Sequence, residues 1–211
     1  MLLPLHGRSL LEHVWQRALR SGLPVLIAAC EDEVADAARA FGADVVMTEP
    51  GLPSGSDRVA AAARHLDAQV VINVQADMPL LDPVNVRRLA AAFEDPTVRV
   101  ATLAVPVDAD PGPSAVKVVC DESGDALYFS RSPIPHRGPF LRHLGLYGFR
   151  REALFDFVDG TPGALEQRES LEQLRMLERG CPIRVLLVDS GSPSVDTPED
   201  LEQVRLLLER P

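Results

Sequence analysis

Apolar residues fall at helical spacing in Leu10, Leu11, Val14, Trp15, Ala18 and Leu19, and Ser21-Gly22 closes that run before an apolar stretch at 25–29. The pattern predicts a helix followed by a strand. It then repeats: helix 31–41 ended by Gly42, strand 43–47, helix 56–65, strand 70–74, helix 82–94, strand 98–105. Strands that are apolar throughout and alternate with helices predict an α/β fold whose mainly parallel sheet is covered on both faces. From 113 to 150 the rhythm changes to strand-like runs at 115–120, 126–130 and 144–149, with turn signals at Ser123-Gly124 and a proline-rich loop at 133–139. That stretch reads as an antiparallel insertion. Helices at 150–158 and 164–179, a strand at 183–188 and a helix at 198–209 complete a single domain, 1–211, without repeats or linkers. The first element is a helix, so the sheet lacks the strand expected to feed it.

Composition narrows the class. Hydrophobic residues make up 46% of the 211 and charged residues 25%, proportions of an ordinary soluble globular chain rather than a disordered one. The three cysteines, Cys30, Cys120 and Cys181, are widely spaced in apolar surroundings. They form neither a disulfide framework nor a metal-binding pair, which fits a reducing cytoplasm. No stretch reaches the roughly 18 continuous apolar residues of a membrane span, and the opening residues lack the layout of a secretion signal. A net charge of −10 argues against nucleic acid as partner. An anionic substrate must then be held locally, by a few Arg or Lys residues or by a divalent cation.

Three segments place chemistry at element boundaries. In VINVQADMPLL (71–81) an apolar strand runs into Gln75 and Asp77, and ligands gather at the carboxyl ends of strands in open α/β sheets. Asp77 reads equally as a ligand group or a helix cap. In LPSGSDRVAAA (52–62) the small residues Ser54 and Gly55 precede a helix, where backbone N–H groups can approach an oxygen-rich ligand and Arg58 can donate to it. The competing reading is a plain cap with a surface arginine. In SVDTPEDLEQVR (194–205) Thr197 and Pro198 begin a helix, which leaves Asp196 projecting from the loop before it. Asp77 and Asp196 brought together would repel unless a divalent cation joined them, and oxygen ligands suit Mg²⁺ with a triphosphate. Two further segments carry polar groups. RHLGLYGFR (142–150) sets His143 and Tyr147 on one strand face, and taken alone it reads first as a mixed strand with a buried Tyr. ALEQRESLEQLRML (164–177) reads as one amphipathic helix bearing Glu169, Glu172 and Gln173 opposite a leucine stripe.

Taken together, the blocks SGSDR, NVQADMP, AVKVV, ALYFSRSPIP, RHLGLYGFR, LEQLR and VDTPEDL, in this order and spacing, resemble the 3-deoxy-manno-octulosonate cytidylyltransferase (CMP-Kdo synthetase) family over nearly the whole chain. The resemblance implies a Rossmann-like nucleotidyltransferase fold and a cytoplasmic homodimer that makes CMP-Kdo and pyrophosphate from CTP and Kdo with Mg²⁺ for lipopolysaccharide synthesis. It implies Asp77 and Asp196 as catalytic metal ligands, and Ser54, Gly55 and Arg58 at the nucleotide. Gln75 falls at the nucleotide or at the edge of the sugar-acid pocket. The pocket itself would be lined by Arg131, His143, Tyr147, Glu169, Glu172 and Gln173, with Arg131 or Lys117 meeting the Kdo carboxylate. The 113–150 insertion would serve sugar binding and dimerisation.

The chain departs from the family pattern in places. Ala76 and Met78 stand where the family's QGDEP block has Gly and Glu, and Leu52 stands where many members have His. Both changes bear on sugar identity more than on reaction class. Family members also begin with a strand and a phosphate-wrapping loop of the type IPAR…S…RLPGK, and this sequence starts just beyond it. Because buried backbone groups left unpaired in mid-sheet cost about 1–3 kcal/mol each, the natural protein is expected to start upstream of Met1. The alternatives are a non-catalytic, N-terminally truncated relative and a cytidylyltransferase for another sugar acid.

Overall fold

The structure, a computed structural model, describes residues 1–209; residues 210 and 211 of the expected 1–211 domain lie outside it. The chain forms two compact units, one from residues 1–67, 74–87 and 192 onward, the other from 68–73 and 88–191.

The first unit opens with a hairpin that the hydrophobic pattern does not announce. β1 (Pro4–Leu5) and β2 (Arg8–Ser9) pair antiparallel. His6 and Gly7 both take positive φ in the two-residue turn, the geometry that matches strand twist in tight hairpins. Ser9 then caps α1 (Leu10–Leu19), its hydroxyl accepting from the Glu12 N–H at 3.1 Å. β3 (Leu26–Ala29), α2 (Asp32–Ala40) and β4 (Asp44–Met47) follow, with β3 and β4 pairing parallel across the α2 crossover. Leu11 of α1, Ala29 of β3 and Val34, Ala35 and Ala38 of α2 form one core, against which Trp15, Phe41 and Ala76 pack. α3 (Gly55–Ala63) comes next. α8 (Pro198–Leu208) buries Val204 against Leu5 and Leu10. The division between the units falls inside α4 (Pro83–Ala91).

The second unit is built on one sheet. β10 (Ile183–Leu187), β6 (Val100–Val107), β9 (Phe140–Arg150), β7 (Lys117–Cys120) and β8 (Ala126–Ser130) lie in that order, and β5 (Val70–Asn73) also pairs β9. The α/β class holds, but strand directions are more mixed than the mainly parallel expectation. Only β10 and β6 run parallel here, while β9 is antiparallel to β5, β6 and β7. Apolar strands buried on both faces carry no mark of direction, so the run 144–149 could not reveal a strand of eleven residues serving three neighbours.

α5 (Arg151–Val158) packs on the sheet through Ala153, Leu154 and Phe157. The single helix expected at 164–179 is instead two short ones, α6 (Ala164–Glu169) and α7 (Leu174–Glu178). Ser170 adopts the left-handed conformation (φ 55°, ψ 44°) that ends α6. Arg175 holds the break in place. Its guanidinium donates to both Glu166 oxygens, at 2.7 and 2.5 Å, and to the carbonyls of Phe157 and Gly160. No described helix is long and apolar enough to cross a membrane.

Candidate active site

Two groups of candidate residues form, one in each unit. In the first, the loop after Val74 and the loop before α8 are tied together. Val195 N–H donates to the Asp77 carbonyl at 2.8 Å and Ser192 Oγ to the Leu80 carbonyl at 2.6 Å. These bonds hold Asp196 near Asp77. Asp77 Oδ1 is enclosed without a hydrogen-bond partner. Burial, with the Asp196 charge as a smaller contribution, pushes the Asp77 carboxyl above its ordinary range. Asp196 is exposed and accepts from Ser194 Oγ, while Thr197 with Asp200 forms the capping box of α8. Among the described residues no three His, Cys, Asp or Glu side chains cluster as metal ligands.

Ser54, Gly55, Arg58 and Gln75 lie in the same unit. Ser54 caps α3, accepting from Asp57 N–H at 3.2 Å and donating its hydroxyl proton to Asp57 Oδ2 at 2.6 Å. Its side chain is committed to the helix, as the plain-cap reading holds. Gly55 starts α3, and a Cβ there would stand 3.2 Å from Gln75 Oε1. The missing side chain lets the glutamine lie against the helix start. Arg58 donates to Thr48 Oγ1 at 2.7 Å and so fixes the loop after β4. Met78 is buried, so this departure from the family block is an interior substitution.

In the second unit β9 carries His143 and Tyr147. In a regular strand two residues four apart sit about 13 Å from each other. Here the ring centroids are 5.2 Å apart. The register explains the contraction: Thr102 of β6 lies opposite Tyr147 and Ala104 opposite His143, so three residues of β9 face one of β6. Gly145, at the centre of this bulge, has φ 68° with open space where a Cβ would stand. Gly145→Ala is therefore expected to cost about 1–2 kcal/mol through backbone strain alone, seen as a lowered midpoint in thermal unfolding.

Tyr147 is buried and its hydroxyl has no hydrogen-bond partner. Burial, then the Glu172 charge, raises its pKa well above 10, so the phenol stays protonated and is a donor awaiting an acceptor. Glu169 at the end of α6 accepts from Ser130 Oγ at 2.9 Å and from Tyr128 hydroxyl at 3.2 Å. Gln173, beside α7, is buried. Arg131 is exposed and donates to the Ser114 carbonyl at 2.7 Å.

Lys117 departs from expectation. Its ammonium has no exposed surface and donates to the carbonyls of Gly112 (2.7 Å), Ala115 (3.2 Å) and Arg131 (2.5 Å), with Asp110 3.3 Å away. Those oxygens use all three of its protons. Lys117 therefore holds the 110–115 loop to the end of β8, and it is not placed to meet a sugar carboxylate. Sequence reasoning also missed Tyr128, Ser130 and Thr102. Thr102 is the single polar residue in the apolar run 100–106, and that interruption was the available signal.

The model of the family described as Cytidylyltransferase matches residues 1–186. The chain is 45% identical to the 3-deoxy-manno-octulosonate cytidylyltransferase of Paramagnetospirillum magneticum over 98% of its own length and 90% of that protein's. The chain belongs to the 3-deoxy-manno-octulosonate cytidylyltransferase family. A solved structure of CMP:2-keto-3-deoxy-manno-octonic acid synthetase complexed with CTP superposes with a TM-score of 0.94 at 39% identity, covering 98% of this chain and 90% of that one. A 4-diphosphocytidyl-2C-methyl-D-erythritol synthase from Anaerococcus prevotii, 12% identical with a TM-score of 0.69, covers 99% of this chain and 92% of its own, and shares the fold alone. The likeness to the CMP:2-keto-3-deoxy-manno-octonic acid synthetase accounts for the α/β architecture.

Proposed function

We propose that this chain transfers CMP from CTP to the 2-hydroxyl of Kdo and releases pyrophosphate. The observation that carries the reading is the likeness, over nearly the whole chain, to a synthetase solved with CTP. In this reaction the sugar hydroxyl oxygen forms a bond to the α-phosphorus, the bond to pyrophosphate breaks, and the hydroxyl proton departs. No covalent enzyme intermediate is required, so the protein's work is positioning and charge neutralisation.

Asp77 and Asp196 would hold a divalent cation, and the enclosed, unpartnered Asp77 Oδ1 fits that role. Bound Mg²⁺ supplies neutralisation of the phosphate charge. The protonated Tyr147 phenol donates to an oxygen of the sugar acid, and Glu169 and Glu172 accept from its hydroxyls. Arg131 is the exposed cation available to the sugar carboxylate. The reading extends, on the likeness of the sequence blocks, to a homodimer of the cytoplasm that serves lipopolysaccharide synthesis.

Pyrophosphate release by the protein from CTP with Kdo, its 8-amino analogue and sialic acid, with Mg²⁺ or with a chelator, tests this directly. Release is expected with Kdo and Mg²⁺ and is expected to stop with chelator. No release with Kdo refutes the assignment, and faster release with the analogue moves it to another sugar acid.

A further inference from the structure

Thr102 of β6 has no exposed surface, and its hydroxyl meets two groups. Oγ1 lies 2.7 Å from the Leu146 carbonyl oxygen and 2.8 Å from His143 Nε2. A threonine hydroxyl has one proton to give, and a carbonyl oxygen only accepts. The proton therefore goes to Leu146, and the hydroxyl oxygen faces the imidazole as an acceptor. Nε2 must then carry a hydrogen.

The bulge makes this possible. Leu146 sits among the residues that β9 carries in excess of β6, where the regular ladder is interrupted, so its carbonyl turns to a side chain. Burial also pushes the His143 pKa down to about 3, so the ring is neutral at ordinary pH and carries one N–H. With that hydrogen on Nε2, Nδ1 keeps its lone pair, and among the described residues no donor meets it.

We infer that Thr102 is a positioning residue that fixes His143 as the Nε2–H tautomer, so that Nδ1 accepts a hydrogen bond from a hydroxyl of the sugar-acid substrate. The second half of this inference rests on the proposed function; the tautomer does not. Glu172, whose charge is felt by Tyr147, and Glu169, held by Tyr128 and Ser130, are acceptors as well. A polyol that donates three times is recognised there, and an analogue with one hydroxyl methylated is refused.

Long-range ¹⁵N–¹H correlation spectra of the imidazoles, with His143 identified by its loss in His143→Asn, test the tautomer. A protonated Nε2 and an unprotonated Nδ1 are expected in the wild type and in Thr102→Ser. Thr102→Val, which cannot accept, is expected to lose this pure tautomer signature. Steady-state kinetics then read the consequence: losing one oriented hydrogen bond raises KM for Kdo about tenfold in Thr102→Val, leaves KM for CTP unchanged, and is rescued in Thr102→Ser. A wild-type spectrum with Nδ1 protonated overturns the inference even if Thr102→Val fails to fold. An unchanged KM for Kdo in a folded Thr102→Val overturns the link to substrate. If the wild type releases no pyrophosphate with Kdo, the functional reading fails while the spectrum still decides the tautomer.

Discussion

Asp77→Asn should raise the thermal midpoint of the unliganded protein while reducing pyrophosphate release by about 10²-fold or more, the scale at which loss of one preorganised electrostatic group is felt. Both effects have the same origin. The Asp77 carboxyl is held above its ordinary range by burial and by Asp196, so its charge costs the folded state something that it does not cost the unfolded chain. Because the folded pKa is the higher one, the folded state binds more protons across the interval between the two values. Stability therefore falls as pH rises from the ordinary aspartate range through the raised folded pKa. Asparagine has no charge to lose, so the variant is expected to show no such fall. A cation between the two carboxylates reverses the penalty, so Mg²⁺ should raise the midpoint of the wild type and leave the variant unmoved. Calorimetry across pH, with and without Mg²⁺, checks each part. A variant that melts no higher and turns over normally would show that Asp77 is an ordinary loop residue.

Lys117→Met is expected to destabilise the protein by about 3–5 kcal/mol, the range for a broken buried ionic contact, or roughly 6–20 °C in a chain of this size. The methionine fills the space of the aliphatic stem but gives no proton to the carbonyls of Gly112, Ala115 and Arg131. Asp110 is partly exposed and can turn to water, so the three carbonyls that lose the ammonium dominate the loss. Thermal melts and Kdo kinetics on the same variant separate the two roles that Lys117 can have. A large drop in midpoint supports the structural role. An unchanged midpoint with a large rise in KM for Kdo would restore Lys117 as the sugar-carboxylate partner suggested by the sequence blocks.

Much of the α/β alternation was legible, because helices such as α1 and α2 have clear apolar periodicity and Gly22 and Gly42 mark where they end. The strand at 126–130 was located to the residue. Direction was not legible, since the apolar runs in β6 and in the second half of β9 look the same whichever way the strands run. The broken helix was missed because Glu166, Glu169 and Glu172 look like a solvated face until Arg175 is seen to hold Glu166 at the break. Within the site, Asp77 and Asp196 are each legible as a carboxylate at an element boundary, while their pairing follows from the resemblance of the sequence blocks. The partners of Lys117 were not legible because they are backbone carbonyls, which leave no trace in residue identity. Thr102 was passed over for the opposite reason: its identity was visible, but its partners lie across the bulge on β9.

That bulge imposes a rule of arithmetic on any variant of the segment. His143 and Tyr147 share a face because the number of residues between them is odd, and they touch because three residues are folded into the span of one. Removing a single residue there would turn one ring to the opposite side of the sheet. Removing two would restore regular pairing but draw Leu146 back into the ladder, away from the threonine. The count from 143 to 147 thus behaves as a fixed number.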